Sequence, residues 1–448
     1  MNWLKNLLPK NSFARGVSVL VGGTVGSQAL MILATPLITR LYTPEDFGLL
    51  AVFTAILAFF TVVSAGRYDL AIPLPEGDQD AANLAVLCIC IVSTFTLLSF
   101  IFILFFSNNI ALLLKSPKLA NYLLLIPIGI FFVGIYQIFS KWSIRQKEFS
   151  VIAKTTLYQS LGTIAIQLTG SSFGAISLIF GYSTGQGIGA VGLARSAFRK
   201  SEFKTVSLKD IKSQAIRYKD FPIYSTGTAL FNTASLQFAP IVFITLYGAT
   251  ISGLYALTLR ILSMPISLVG NAIGSVFLSE APKAKREGTL PDLIIKLHNK
   301  LALIGAFPLA ILLYFAPDLF SLAFGKEWLK AGVYAQWMAP WIYLQLQWSP
   351  LSMLASVLEL QRASFISQIL SFSFRFGSLI LAWQLELSSD NSILVFAIVS
   401  AIVYLIVMLW FINKAGAPIT KIIFANIKYV AVSIIAVFPL WYIKEQIL

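Results

Sequence analysis

Apolar runs of roughly 18–25 residues follow one another along the whole chain, parted by short polar segments. Coiled as a helix at about 1.5 Å per residue, each run is as long as the hydrocarbon core of a bilayer is thick. Lipid offers no water to unpaired backbone N–H and C=O groups, so such runs must be helices. Barrel strands would need short alternating segments, which are absent. Composition agrees. Of 448 residues, 57% are hydrophobic and 12% charged, against about a quarter charged in an ordinary soluble domain. The expected fold class is an all-α polytopic membrane protein.

Twelve spans are expected, near 16–38, 47–66, 83–106, 120–139, 154–170, 174–193, 221–246, 253–278, 298–316, 335–357, 364–385 and 392–412. A last apolar run, Tyr429 to Ile443, is short for a span and is either a thirteenth crossing or an interfacial helix. Trp3, Leu4, Leu7 and Leu8 precede the first span and suit an interfacial position. The longest polar segment, 194–220, carries eight basic residues and parts the chain. The expected organisation is an N-terminal lobe over 1–193, a basic cytoplasmic linker over 194–220, a C-terminal lobe over 221–412, and a basic segment with a short helix over 413–448.

The net charge of +14 is unevenly spread. About 25 of the 33 Lys and Arg fall on one set of alternate loops and about six on the other. This is the positive-inside bias, and it predicts a cytoplasmic N-terminus. Basic loops of this kind face anionic headgroups, so membrane lipids and not nucleic acid are the expected partners.

Cysteines and histidine contribute little chemistry. Cys88 and Cys90 sit two apart in one span, on different helix faces, so neither a disulfide nor a metal pair is expected. His298, the only histidine, is expected at the interface where a basic loop enters a span. No cofactor, metal or catalytic constellation is expected. Gly187-Ile188-Gly189-Ala190-Val191-Gly192 fits GxGxxG, but it lies inside a span without a preceding strand. Gly181, Gly185 and Gly189 repeat every fourth residue, which predicts a helix-packing face instead.

The stretch Gly253–Pro282 is the richest. Arg260 lies inside an apolar helix, and helical steps from it meet Ser263, Ser267, Asn271 and Ser275. An arginine in hydrocarbon is costly and is expected to face a wet cavity. Similar stripes are Tyr224, Thr228, Asn232 and Ser235 in span 7, and Thr24, Gln28 and Thr35 in span 1. All 19 Asp and Glu fall in loops or at span ends, leaving Arg260 and Arg375 as charges inside spans. Buried positive charge of this kind suits a phosphate or diphosphate. Candidate substrate-binding residues are therefore Arg260, Ser263, Ser267, Asn271, Asn232, Thr228 and Gln28. Arg40, Arg67 and Arg375 are candidates for gating or guiding the anion, with interface anchoring or carbonyl capping as their structural alternative.

The halves also echo each other. Pro36 to Ala51 reads PLITRLYTPEDFGLLA, and Pro240 to Ala256 reads PIVFITLYGATISGLYA. In each, Pro precedes Leu-Tyr and Gly lies six residues past the Tyr. A fainter echo pairs Ile126-Pro127 through Gln146 with Ala339-Pro340 through Gln361. Repeats of this kind build many transporters.

The stretch Thr39 to Gly48, TRLYTPEDFG, then Arg67 to Pro73, RYDLAIP, resembles the N-terminal signature of bacterial polysaccharide-biosynthesis flippases. These are the Wzx-like O-antigen and capsule translocases of the multidrug/oligosaccharidyl-lipid/polysaccharide (MOP) superfamily. Further similar pieces are Asp220-Phe221-Pro222, Gly253 to Glu280, Phe324-Gly325 with Trp328, and Ser349-Pro350-Leu351-Ser352. The resemblance implies two six-helix lobes around a cationic cavity. It implies alternating-access transfer of an undecaprenyl-diphosphate-linked oligosaccharide, with Arg260 on the diphosphate. A polysaccharide polymerase and a chain-length regulator would be the partners of such a flippase. A multidrug exporter on the same fold would want a buried carboxylate, and a membrane polymerase would want a large outer loop; the sequence offers neither.

Overall fold

The computed structural model describes residues 12–447, apart from the side chains of 12–17, 228, 267–269, 271, 272, 275 and 447. Trp3, Leu4, Leu7 and Leu8 lie outside these residues. The described residues form helices and connections, with no strand among them. The principal helices are α1 (Ser12–Leu41), α2 (Pro44–Ser64), α3 (Asp78–Leu113), α4 (Ile126–Arg145), α5 (Phe149–Thr169), α6 (Ala175–Ala197), α7 (Leu208–Arg217) and α8 (Thr226–Tyr247). They continue as α9 (Ala249–Arg286), α10 (Leu290–Phe324), α11 (Leu329–Leu351), α12 (Gln361–Gln384), α13 (Ser389–Lys414) and α14 (Ile419–Ile447).

Ten helical stretches among the described residues are long and apolar enough to cross a membrane. Expected spans 5, 6 and 10 are helices of 21, 23 and 23 residues that fall short of that apolarity. The reason is visible for α5 and α6. Gln159, Ser160, Thr163 and Gln167 are buried and turned into packing, not toward lipid. A Cβ on Gly181 would meet Gln167, one on Gly185 Thr163, and one on Gly189 Gln159. The four-residue glycine repeat is thus a helix-packing face, as its spacing predicts.

The C-terminal run belongs to a longer helix than its apolar residues alone suggest, which suits the crossing among its two alternatives. It is part of α14, 29 residues long, so it has the length of a span. Lys421 and Lys428 do not interrupt it, because both are exposed and long aliphatic stems carry their ammonium groups outward. Lys428 Nζ lies 5.8 Å from the Tyr429 ring centre.

By packing, the chain divides into Met1–Gly253 and Leu254–Leu448. The expected boundary at 194–220 divides it by repeat; that segment is itself folded. Its helix α7 packs along α3. Tyr68 donates to the Ala215 carbonyl (3.0 Å), and Phe203 stands edge-on to Trp142 at 4.8 Å. Trp142, Phe139 and Cys88 are buried in the same core.

Within the first unit the sequence echo becomes a physical contact. A Cβ on Gly48 of α2 would strike the Ala249 carbonyl, and one on Gly253 of α9 the Pro44 carbonyl. Gly48 corresponds to Gly253 in the echo, and Pro44 to Ala249. Residue i touches the counterpart of j while j touches the counterpart of i, which is the signature of a local two-fold relation.

In the second unit, α10 packs on α11 and α14, and α13 on α11 and α12. His298, expected where a basic loop enters a span, is enclosed by protein. Helix α10 begins at Leu290, so His298 lies two turns inside it and is fully buried.

Candidate functional site

Helix α9 extends 38 residues. Arg260 is its twelfth residue and is exposed, so the long helix presents the guanidinium and does not bury it. Ser263 is half-buried, and its hydroxyl donates to the Arg260 carbonyl at 3.5 Å. Ser267 and Asn271, like Thr228 on α8, have side chains outside the described residues. Asn232 and Gln28 are exposed on α8 and α1. Arg40 is exposed in the last turn of α1, where a cation complements the helix dipole.

Arg375 has a built environment. It is the fifteenth of the 24 residues of α12, and its Nε donates to Ser400 Oγ at 2.9 Å. Its guanidinium carbon lies 4.7 Å from the Trp341 ring centre, 5.1 Å from Phe396 and 5.8 Å from Tyr404. Three ring faces of negative quadrupole thus replace a counter-carboxylate. Among the described residues no protein group accepts from its terminal nitrogens. The sequence shows the arginine but not the rings, which come from two other helices.

The stretch 67–78 forms the second charged group. Arg67 takes a left-handed conformation (φ 60°) and is half-buried, with its Nε enclosed and without a hydrogen-bond partner among the described residues. Asp69, in the short turn Tyr68–Ala71, is buried. Burial pushes its carboxyl above the ordinary range, against the opposing pull of Arg67 and Lys141. Arg145, at the end of α4, ties the following segment down. Its Nε donates to Asp78 Oδ1 at 2.7 Å, and its terminal nitrogens to the carbonyls of Pro73, Pro75 and Glu76. Arg145 and Lys141 were not predicted from sequence, since both read as ordinary residues where a span meets a basic loop.

The other stretch of the resemblance, Thr39 to Gly48, is a helix start. Thr43 caps α2, Pro44 occupies its first position, and Asp46 closes the capping box by accepting from Thr43 N at 2.9 Å. The other carboxylate oxygen of Asp46 accepts from Ala175 N at 3.1 Å, the first residue of α6.

Comparison with solved structures defines the class first. The chain has the fold of MOP-superfamily membrane transporters. A structure of the lipid II flippase MurJ in an inward closed conformation aligns with a TM-score of 0.74 at 14% identity, covering 93% of this chain and 91% of that one. An inward-facing multidrug resistance MATE family transporter aligns at 0.64 and 16% identity, covering 87% and 94%. A MOP superfamily transporter from Pyrococcus furiosus aligns at 0.53 and 13% identity, covering 90% and 94%. A comparison with curated proteins finds no match. Residues 37–332 match the polysaccharide biosynthesis protein family, and the chain belongs to that family. It is a multi-pass membrane protein.

Proposed function

We propose that this protein is a flippase that carries a lipid-linked oligosaccharide, joined to its lipid by a diphosphate, across the bacterial inner membrane. The observation that carries this reading is where charge sits. Each of the 19 carboxylates lies in a connection or within two turns of a helix end, whereas Arg260 and Arg375 lie in helix interiors. Guanidinium groups placed so favour a multivalent anion and disfavour a cationic drug. Family membership supports the polysaccharide side of the proposal.

In this reading Arg260 engages the diphosphate. Ser263, Ser267, Asn271, Thr228, Asn232 and Gln28 line the same path, and Arg40 and Arg67 guide the anion. The chain's part is binding and re-exposure; no bond is made or broken. The N-terminus is cytoplasmic, and the protein hands its glycan to a polymerase working with a chain-length regulator on the far side.

The test is transfer in proteoliposomes of a fluorescent undecaprenyl-diphosphate glycan, read by quenching of the outer leaflet. Wild type should move the lipid, and Arg260→Ala should insert normally yet lose at least about tenfold of the rate, the size of one charge-assisted contact. Equal rates with and without protein would refute the function. Full rate in Arg260→Ala would refute only that residue's role.

A further inference from the structure

Three helices of the second unit meet around a set of uncharged polar side chains. His298 comes from α10, Tyr343 and Gln347 from α11, and Asn426 from α14. His298 and Gln347 are fully buried. The Tyr343 hydroxyl donates to Asn426 Oδ1 at 2.8 Å and stands 3.4 Å from the Ala302 carbonyl, one turn beyond His298. Asn426 Nδ2 lies 3.3 Å from His298 Nε2.

Several polar atoms here are left over. His298 Nδ1, both amide atoms of Gln347 and Asn299 Oδ1 are buried without a hydrogen-bond partner among the described residues. Asn299 and Gln347 nonetheless stand next to the imidazole, close enough to act on it though not aligned for a bond. Enclosed acceptors cost stability unless something donates to them. Here two orphaned oxygens accompany an imidazole whose Nδ1–H can serve them, more strongly once the ring is charged.

We propose that His298, with Gln347, Asn299, Asn426 and Tyr343, is a proton-binding site inside the second unit. In the neutral state Tyr343 donates to the Asn426 oxygen, so the amide's NH2 faces His298 and Nε2 accepts. The imidazole proton is then on Nδ1. A proton arriving at Nε2 makes both ring nitrogens donors. Nδ1–H, which faces the oxygens of Gln347 and Asn299 already in the neutral ring, becomes a charge-assisted and therefore stronger donor to them. Nε2–H forces the Asn426 amide to turn its oxygen toward the ring. Its NH2 then faces Tyr343, whose hydroxyl accepts from it and donates to the Ala302 carbonyl instead. One proton thus reverses a chain of hydrogen bonds joining α10, α11 and α14. The titratable groups facing His298 are Tyr343 and, beside it, Tyr429 of α14. No carboxylate, lysine or arginine among the described residues acts on the ring. The site depends on neither the substrate nor its direction of travel.

Because the chain has a single histidine, one imidazole reports without assignment. The full chain, purified without a histidine tag and labelled with 15N-histidine, is placed in lipid nanodiscs and its ring nitrogens are followed from pH 8 to pH 5. The expected result is passage from the neutral to the doubly protonated pattern in that range. In Gln347→Leu, which removes an acceptor of the charged form, the midpoint falls by about one pH unit, a tenfold weaker proton affinity. A ring that stays neutral down to pH 5 overturns the proposal, and that measurement needs no variant. An unchanged midpoint in Gln347→Leu overturns it as well.

Discussion

Two charged residues show how far a side chain's behaviour depends on its surroundings. Arg375 is held by three aromatic rings and Ser400, an environment that stabilises a cation without a carboxylate. Replacing it by methionine keeps the stem and removes the charge, and should cost about 1–2 kcal/mol, the range of cation–π contacts shielded from water. Arg375→Lys should recover only part of this, because an ammonium neither stacks flat nor reaches Ser400 in the same way. Unfolding of both variants in micelles measures it. Asp69 gives a pH dependence of definite sign. Its carboxyl is raised above the unfolded value near 4, so between the two values the folded state holds more protons than the unfolded. Stability should therefore rise as pH falls through the raised value, and level off below about pH 4. Asp69→Asn should be the more stable protein at pH 7 and lack that contribution to the slope. Denaturation curves from pH 7 to pH 4 that are parallel for the two proteins would disprove this.

At the scale of the helix, the stretch TRLYTPEDFG acts as punctuation. Thr43→Ala removes one cap and should cost ~1 kcal/mol. Asp46→Ala should cost more, because the same carboxylate also holds the first N–H of α6. A double mutant of the two should fall short of the sum, since they share one capping box. Gly48 and Gly253 are close approaches of backbone to backbone. Alanine is ordinarily the better helix former, yet Gly253→Ala must push α9 away from α2. Overpacking of this kind costs about 1–3 kcal/mol, so a loss of thermal stability, not a gain, is expected. The glycine repeat of α6 obeys the same rule, and there the sequence spacing alone identified the packed face. It could do so because a helix fixes which residues share a face, and glycine every fourth residue has few other uses.

For the molecule as a whole, the positive-inside reading places α7 on the cytoplasmic side. A single cysteine at the exposed position Ser213, in a chain with Cys88→Ala and Cys90→Ala, should react with an impermeant maleimide in inverted vesicles and not in intact cells. The sequence by itself determined the membrane class, the helical architecture, the repeat and the family signature. These follow from hydrophobic length, backbone hydrogen bonding and local spacing, none of which needs a neighbour. It also singled out Arg260 and Arg375 as charges inside spans that hold no carboxylate away from their ends. The tertiary structure decided what each polar residue meets. It enclosed His298 in a buried network, set three rings around Arg375, and folded the linker against α3. It also extended the last helix back to Ile419. The physical reason is common to the first three. Periodicity states which residues lie together on one helix, but burial and pairing depend on the helix that comes to lie opposite, and those partners are 25 to 128 residues away.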